Sequence, residues 1–513
     1  GAHRDLHSFP TRRSSDLVIS ALILFALVFR LSTIMMVNTG VDERDYWESA
    51  RALSQGLPYP ELSHRTTRYG VILPVAAVQL VLGLHPNVYH VMPVLNCMVQ
   101  AALVYLLGVR LRGRLTGFLA ALALILFPYM IRAGSQVRPE IFSITYMLLS
   151  LVYFMEYLDR DNERFRPLIW SALWMFVSYE TKITNLFMVP GILLAILLYK
   201  RSPRDAGTFA GILLVLYLAE TALYAAFTRF RFGELEIIAQ KHFHSDSFTV
   251  PRLIDLLQRY APDNLQWYWS LPFAAFGLGS IFYLVKGHDV RIKGLILASA
   301  SFFFFITVAV KSLDPITPAE SFINRYFSVV LVPVFLTLAY WIEGAVDPLV
   351  ASGQTRMRFD SPRLYIMVSL IGLVVSLGIF SLPSFPEQLR LYAHSPFDTG
   401  RHPFVLNERY RRLVNEAYAG GTPIVASEGL AGYSAISTVA SFYLDLGTFV
   451  DGRPPQPVKV QIEGTSCLLL SRMGNAYGGE TVVIARRFPF SVEYKLLSEV
   501  SRLTEDTGMQ QDE

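Results

Sequence analysis

Two carboxylates and a group of cations stand at the ends of apolar stretches of this chain. Gly40-Val41-Asp42-Glu43-Arg44-Asp45-Tyr46-Trp47 follows the first apolar stretch, and Arg138-Pro139-Glu140 opens a later one. Proline suits the first helical position, and acidic side chains favour the positive end of a helix dipole. Each of Asp42, Glu43 and Glu140 can therefore be read as a helix-start residue and nothing more. Taken together, Asp42 and Glu140 put two carboxylates on one face of a membrane, the residue type that does acid–base work. Cations gather on the same face: Arg68, Arg138, Lys182 in the turn Tyr179-Glu180-Thr181-Lys182, and Arg325 followed by Tyr326. Charge this close to hydrocarbon is costly and marks a site or a paired structure; the plain alternative is a long side chain reaching up to lipid headgroups. In Lys241-His242-Phe243-His244-Ser245-Asp246, the two histidines at alternate positions would suit a metal on a strand, or are ordinary loop residues.

The elements that must position these residues follow from composition. Of 513 residues, 52% are hydrophobic and 17% charged, against about 25% charged in soluble domains. A net charge of +4 gives no argument for nucleic acid. Two cysteines, Cys97 and Cys467, make neither a disulfide framework nor a metal site. A helix needs roughly 20 apolar residues to cross the hydrocarbon core. Eleven spans are expected, at 18–37, 88–109, 115–131, 141–157, 167–181, 183–199, 207–228, 266–285, 294–310, 326–342 and 364–382. Gly70 to Leu84 is shorter and holds Pro74, so it reads as an interfacial or re-entrant helix. Tyr46, Trp47, Ala50 and Leu53 recur at helical spacing, as in a helix lying along the membrane with an aromatic belt.

Basic residues fix the expected orientation. Loops 110–114, 158–166, 199–205, 286–293 and 343–363 carry fifteen Lys or Arg in 50 positions, while the alternate loops carry fourteen over more than twice that length. The first set is expected to be cytoplasmic, and an odd number of spans then puts the C-terminus outside. Beyond Pro383, Thr422–Ser427, Val458–Glu463, Cys467–Arg472 and Thr481–Arg487 read as strands, and 407–419 and 491–503 as helices. The expected architecture is an all-α polytopic membrane bundle with juxtamembrane helices (18–382), followed by a small extracytoplasmic α/β domain (383–513). Residues 1–17 stand apart. His7 to Leu17 back-translates without a gap to a sequencing-library adapter, so this segment is expected to be foreign and the native chain to begin near Val18.

The order of motifs resembles a known superfamily. Asp42-Glu43-x-x-Tyr46 follows span one, Arg138-Pro139-Glu140 precedes span four, Gly233-Glu234-Leu235 follows span seven, and Arg325-Tyr326-Phe327 precedes span ten. This looks like the GT-C superfamily of membrane glycosyltransferases, in particular the dolichyl-phosphate-mannose protein mannosyltransferase and aminoarabinose transferase group. The stretch Val88 to Tyr157 resembles it throughout, and the likeness covers roughly 18–345. Asp42 matches the family's catalytic aspartate, and Glu140 stands where many members carry Asp. Tyr46 matches a first-loop tyrosine; Arg325 and Tyr326 match the late motif that approaches the donor phosphate. The chain departs from the pattern at Asp45, where a basic or neutral residue is common. It also has Arg68-Tyr69-Gly70 where aminoarabinose transferases carry Glu-Lys-Pro-Pro, so their metal and substrate are not carried over. The Trp-Trp-Asp-Tyr-Gly signature of oligosaccharyltransferases is absent, and Trp267-Tyr268-Trp269 does not replace it.

The resemblance implies transfer of a sugar from a polyprenyl-phosphate donor to an acceptor hydroxyl, with inversion, on the extracytoplasmic face. Asp42 would be the general base, with Glu43 and Glu140 as further catalytic carboxylates. Glu140 would orient the acceptor or hold Asp42. Arg325, with Lys182 or Arg68, would stabilise the leaving phosphate; Tyr46, Arg138, His244 and Tyr326 complete the substrate-binding candidates. The partners would be the sugar-lipid donor, a lipid, glycan or protein acceptor, and membrane lipids, in a bacterial or archaeal plasma membrane. No cofactor is fixed, and a divalent metal stays open. The rival readings are a lipid or sugar transporter or flippase, and a non-catalytic sugar-lipid-binding scaffold. Transporters often show internal repeats and mid-span charges; this chain shows no repeat, and its charges sit at span mouths.

Overall fold

The structure, a computed structural model, describes residues 12–34, 41–60, 62–159, 165–228, 260, 267–308, 310–313, 316–318, 324–352, 424–427, 456–462, 465–471 and 482–485. Its helices are α1 (Arg12–Ser32), α2 (Val41–Gln55), α3 (Tyr69–Leu82), α4 (Val91–Leu111), α5 (Arg114–Leu126), α6 (Pro128–Ala133) and α7 (Pro139–Asp159). They continue with α8 (Phe165–Thr181), α9 (Val189–Ala195), α10 (Pro203–Thr228), α11 (Trp267–Lys286), α12 (Val290–Val308) and α13 (Leu331–Ser352). Among the described residues, seven helical segments are long and apolar enough to cross a membrane: Asn87–Leu111, Pro139–Asp159, Ile183–Lys200, Pro203–Ala226, Tyr268–Lys286, Val290–Thr307 and Arg325–Ala345. The chain is an integral membrane protein.

Not all of the eleven expected spans are found among the described residues. Shorter apolar helices stand at three places, Leu17–Ser32, Tyr69–Leu82 and Arg114–Leu126. The expected span 115–131 breaks because Pro128 disfavours helical geometry at Phe127, which is extended at ψ 127°. The 13 residues of α5 rise about 20 Å at 1.5 Å each. The first helix starts at Arg12, within the segment expected to be foreign. The span 364–382 lies outside the described residues.

Inside the bundle, polar side chains join helices where water cannot. Gln100 Nε2 of α4 donates to the Ile141 carbonyl of α7 at 2.6 Å. Thr145 Oγ1 of α7 donates to Asn96 Oδ1 of α4 at 2.7 Å, and Ser150 Oγ of α7 to the Ser171 carbonyl of α8 at 2.9 Å. Three helices are thereby held together at the centre of the molecule. At the C-terminal end of α7, Arg291 Nη1 lies 3.5 Å from Asp159 Oδ1 and donates to the Arg110 carbonyl at 3.0 Å. Arg110 pairs in turn with Glu156 at 3.7 Å. These contacts tie α4, α7 and α12 at the end opposite Glu140.

The helix α3 is placed by close contact. Tyr146 Oη donates to the Gly70 carbonyl at 2.9 Å, and a Cβ on Gly70 would collide with the Thr181 hydroxyl of α8. Gly70→Ala should therefore force α3 away from α8, at a cost of about 1–3 kcal/mol for overpacking. A lower melting temperature in detergent would register this, and unchanged melting would show that the contact relaxes freely.

A hairpin unforeseen in the sequence pairs β1 (Val310–Leu313) with β2 (Ile316–Pro318) antiparallel. Further on, β3 (Ile424–Ser427), β4 (Gln456–Ile462), β5 (Thr465–Ser471) and β6 (Val482–Ala485) form one sheet in the order β4-β5-β3-β6. The β3–β5 pair is parallel and the other two are antiparallel. The helices expected at 407–419 and 491–503 lie outside the described residues.

Candidate active site

Helix α2 opens the site. Its first turn carries Asp42 and Glu43. Tyr46, Trp47 and Ala50 are fully buried, so this aromatic face is packed into the protein core instead of forming a membrane belt. Gln79 Nε2 of α3 donates to the Trp47 carbonyl at 3.2 Å, and the Trp47 and Tyr89 rings lie 5.7 Å apart. Leu53, on the next turn, is 44% exposed. Core packing of this kind fixes the rotation of α2, and with it the direction of the two carboxylates.

Asp42 meets two arginines. Arg65 Nε lies 2.6 Å from Asp42 Oδ1, and Arg325 Nη1 donates to Asp42 Oδ2 at 3.4 Å. The Asp42 side chain keeps 24% exposure, so incoming molecules can reach it. Glu43 points the other way, into a buried ion pair with Arg138 at 2.7 Å.

Below Asp42 lies a second, buried layer. Glu140 is 2% exposed, and Lys182 is 4% exposed with its Nζ 3.1 Å from Glu140 Oε1. Lys182 Nζ also donates to the backbone carbonyl of Arg325 at 2.8 Å and sits 5.2 Å from the centre of the Tyr326 ring. One ammonium thus joins the start of α7, the turn after α8 and the 3-10 turn Asn324–Val330 before α13. Burial pushes the Lys182 ammonium down to about 8, with Glu140 pulling it back up. The Arg325 guanidinium approaches Glu140 to 4.0 Å, so it stands between both carboxylates. Arg68 Nη1 donates to Tyr46 Oη at 2.6 Å. Burial holds the Tyr46 phenol well above its ordinary range, although Arg68 opposes this.

The structure therefore brings together Asp42, Glu43, Tyr46, Arg68, Arg138, Glu140, Lys182, Arg325 and Tyr326. His244 and the Gly233-Glu234-Leu235 motif lie outside the described residues. The sequence reading missed Arg65. Its signal was its place three residues before Arg68 in a polar loop that faces α2, but a loop arginine has no helical periodicity to say where it points. With Asp45, paired to Arg65 Nη1 at 3.2 Å, the cluster holds five cations against four carboxylates. Among the described residues, no group of three or more His, Cys, Asp or Glu is placed to hold a metal. A partly exposed carboxylate can take a proton from one ligand while the surplus cations beside it hold an anionic group of another.

Comparison with known proteins bears on the fold. Residues 75–224 match the family of dolichyl-phosphate-mannose-protein mannosyltransferases. The chain is similar to the solved structure of ArnT from Cupriavidus metallidurans bound to undecaprenyl phosphate, with a TM-score of 0.52, 14% identity and 86% of each chain covered. It is also similar to the apo oligosaccharyltransferase of Archaeoglobus fulgidus, with a TM-score of 0.51 and 11% identity, covering 89% of this chain and 62% of that one. The search of curated proteins returned no match. The chain thus shares the fold of these solved structures, and over 75–224 it resembles the mannosyltransferase family.

Proposed function

We propose that this protein is a membrane glycosyltransferase that moves a sugar from a polyprenyl-phosphate donor to an acceptor hydroxyl on the extracytoplasmic face. The observation that carries the proposal is the partly exposed Asp42 carboxylate held beside Arg325 over the buried Glu140–Lys182 pair. The solved ArnT structure, of the same fold, has undecaprenyl phosphate bound, and a donor of that chemistry suits a cation-rich cluster. Arg325 and Arg68 hold the lipid phosphate, and their charge stabilises the negative charge that grows there as the sugar–phosphate bond breaks. Asp42 takes the proton of the acceptor hydroxyl as its oxygen attacks the anomeric carbon. Attack opposite the phosphate inverts that carbon. Glu140 and Lys182 are too buried to meet the acceptor and instead fix the backbone at Arg325. Glu43 pairs with the Arg138 guanidinium.

A transporter would need its two ends to open in turn. The Arg291–Asp159 and Arg110–Glu156 pairs tie three helices together at the end away from the site, which favours a site served from one side. The test is mass spectrometry of membranes containing the protein, incubated with a panel of polyprenyl-phosphate sugars. An acceptor gaining one sugar residue while polyprenyl phosphate is released is the expected result. Absence of any transfer across the panel, with the donor moved between leaflets instead, would overturn the proposal in favour of a flippase.

A further inference from the structure

We infer that Arg65 is a positioning residue that keeps Asp42 aimed at the acceptor after Arg325 has turned to the donor phosphate. This inference rests on the reading of Asp42 as the base. Arg65 lies in the loop between α2 and α3, on a turn stitched by its own side chains. Ser63 N–H donates to Thr66 Oγ1 at 2.8 Å, Thr67 Oγ1 donates to the Ser63 carbonyl at 2.8 Å, and Tyr59 Oη donates to the Thr66 carbonyl at 2.6 Å. Neither carboxylate is part of this stitching, so the backbone of Arg65 is held independently of the groups it faces.

The guanidinium forks between two carboxylates. Its Nε lies 2.6 Å from Asp42 Oδ1 and its Nη1 3.2 Å from Asp45 Oδ2. Asp42 and Asp45 are three residues apart on one helix and so share a face. The two arginines at Asp42 use different oxygens: Arg65 takes Oδ1 closely, and Arg325 takes Oδ2 loosely at 3.4 Å. Arg65 Nε meets Oδ1 as an ion pair without hydrogen-bond geometry, and attraction between opposite charges grows as they approach, so the closer guanidinium holds the carboxylate more firmly. A phosphate arriving at Arg325 therefore draws it from Oδ2 at little cost and leaves that oxygen open to accept a proton. Arg65 still grips Oδ1, so the carboxylate keeps its direction. Asp45 holds the guanidinium from its other side and keeps it from swinging over the emptied oxygen. The other charged groups of the cluster, Glu43, Arg68, Arg138, Glu140 and Lys182, have partners of their own.

The experiment measures transfer rate and donor binding separately in Arg65→Ala, Arg65→Lys and Asp45→Asn, alone and combined with Asp42→Asn. Misplacing a catalytic group by about 1 Å can cost about 100-fold. Arg65→Ala should lower kcat by about 10- to 100-fold, with donor binding near the parent's. Added guanidinium should restore part of the rate, Arg65→Lys should lose less, and Asp45→Asn should lose least. On an Asp42→Asn background, Arg65→Ala should cost nothing more. Parent-like kcat in Arg65→Ala alongside a slow Asp42→Asn would overturn this inference alone, as would a full additional loss in the double variant. Should Arg65→Ala fail to fold, Asp45→Asn and Arg65→Lys carry the same comparison. A parent-like rate in Asp42→Asn would instead remove the base reading on which the inference stands.

Discussion

Asp42→Asn should lower sugar transfer by about 10²–10⁴-fold, the range general-base loss usually costs. The amide keeps the size of the side chain and one oxygen for Arg65, but it cannot take a proton from a hydroxyl. Folding should change little. The side chain is 24% exposed and its two arginine partners are themselves about a third open to solvent, at 28% and 33%, and exposed ion pairs contribute at most about 1 kcal/mol. Donor binding should survive, because the phosphate is held by cations. Arg325→Ala should behave differently. It removes a phosphate contact, so donor affinity should fall, and turnover with it. The pair of variants separates the two halves of the chemistry. Measuring transfer, donor binding and detergent melting temperature in both decides the matter. A parent rate in Asp42→Asn would pass the role to another carboxylate, with Glu43 poorly placed for it because its 2.7 Å pair with Arg138 is buried.

The bundle was legible in the sequence because hydrocarbon imposes its own rule: about 20 apolar residues with their backbone bonds closed internally. That rule located α4, α7, α10, α11 and α12 to within a few residues. It failed at 115–131, where apolar composition continues through Phe127 but Pro128 ends the helix. It also misjudged Tyr46 and Trp47. Helical spacing shows that such residues share a face, but not whether the face meets lipid or protein. The site was legible in part for the same reason. Charges at span mouths are few and stand out, so Asp42, Glu140, Lys182 and Arg325 could be singled out one by one. Their pairing could not be read. Glu140 and Lys182 lie 42 positions apart, and Lys182 meets Arg325 across 143. Only the packing of α7 against α8, and of the turn before α13 against both, brings these side chains within reach. Arg65 shows the remaining gap, since a loop residue carries no period from which a direction can be derived.

The buried pair yields the second large effect. Removing Glu140 alone, as Glu140→Ala, should destabilise the protein by about 3–5 kcal/mol, because it strands the Lys182 ammonium in the interior. Replacing both partners by neutral side chains of similar size, Glu140→Gln with Lys182→Met, should restore most of that stability, since neutral replacement of a buried pair is often no worse than the pair. Activity should not return with it. Without the ammonium, the Arg325 carbonyl loses its 2.8 Å donor, and the guanidinium that meets the phosphate is no longer fixed. A double variant that melts like the parent yet transfers sugar slowly is the expected outcome; one that is stable and fully active would show that the pair serves packing alone. The pH dependence of the parent gives an independent check. Burial pushes the Lys182 ammonium down to about 8 from its ordinary 10.5. Between those values the unfolded chain holds a proton that the native chain has lost. The contribution of this group to stability therefore rises with pH across that window. Transfer should move in the opposite direction. A neutral amine leaves Glu140 without its nearest cation, 3.1 Å away, and the freed negative charge then competes with the donor phosphate for Arg325. Transfer should decline as pH climbs through about 8 while the melting temperature holds or rises, and a rate that stays flat beyond pH 9 would show that the charge on Lys182 does not govern the site.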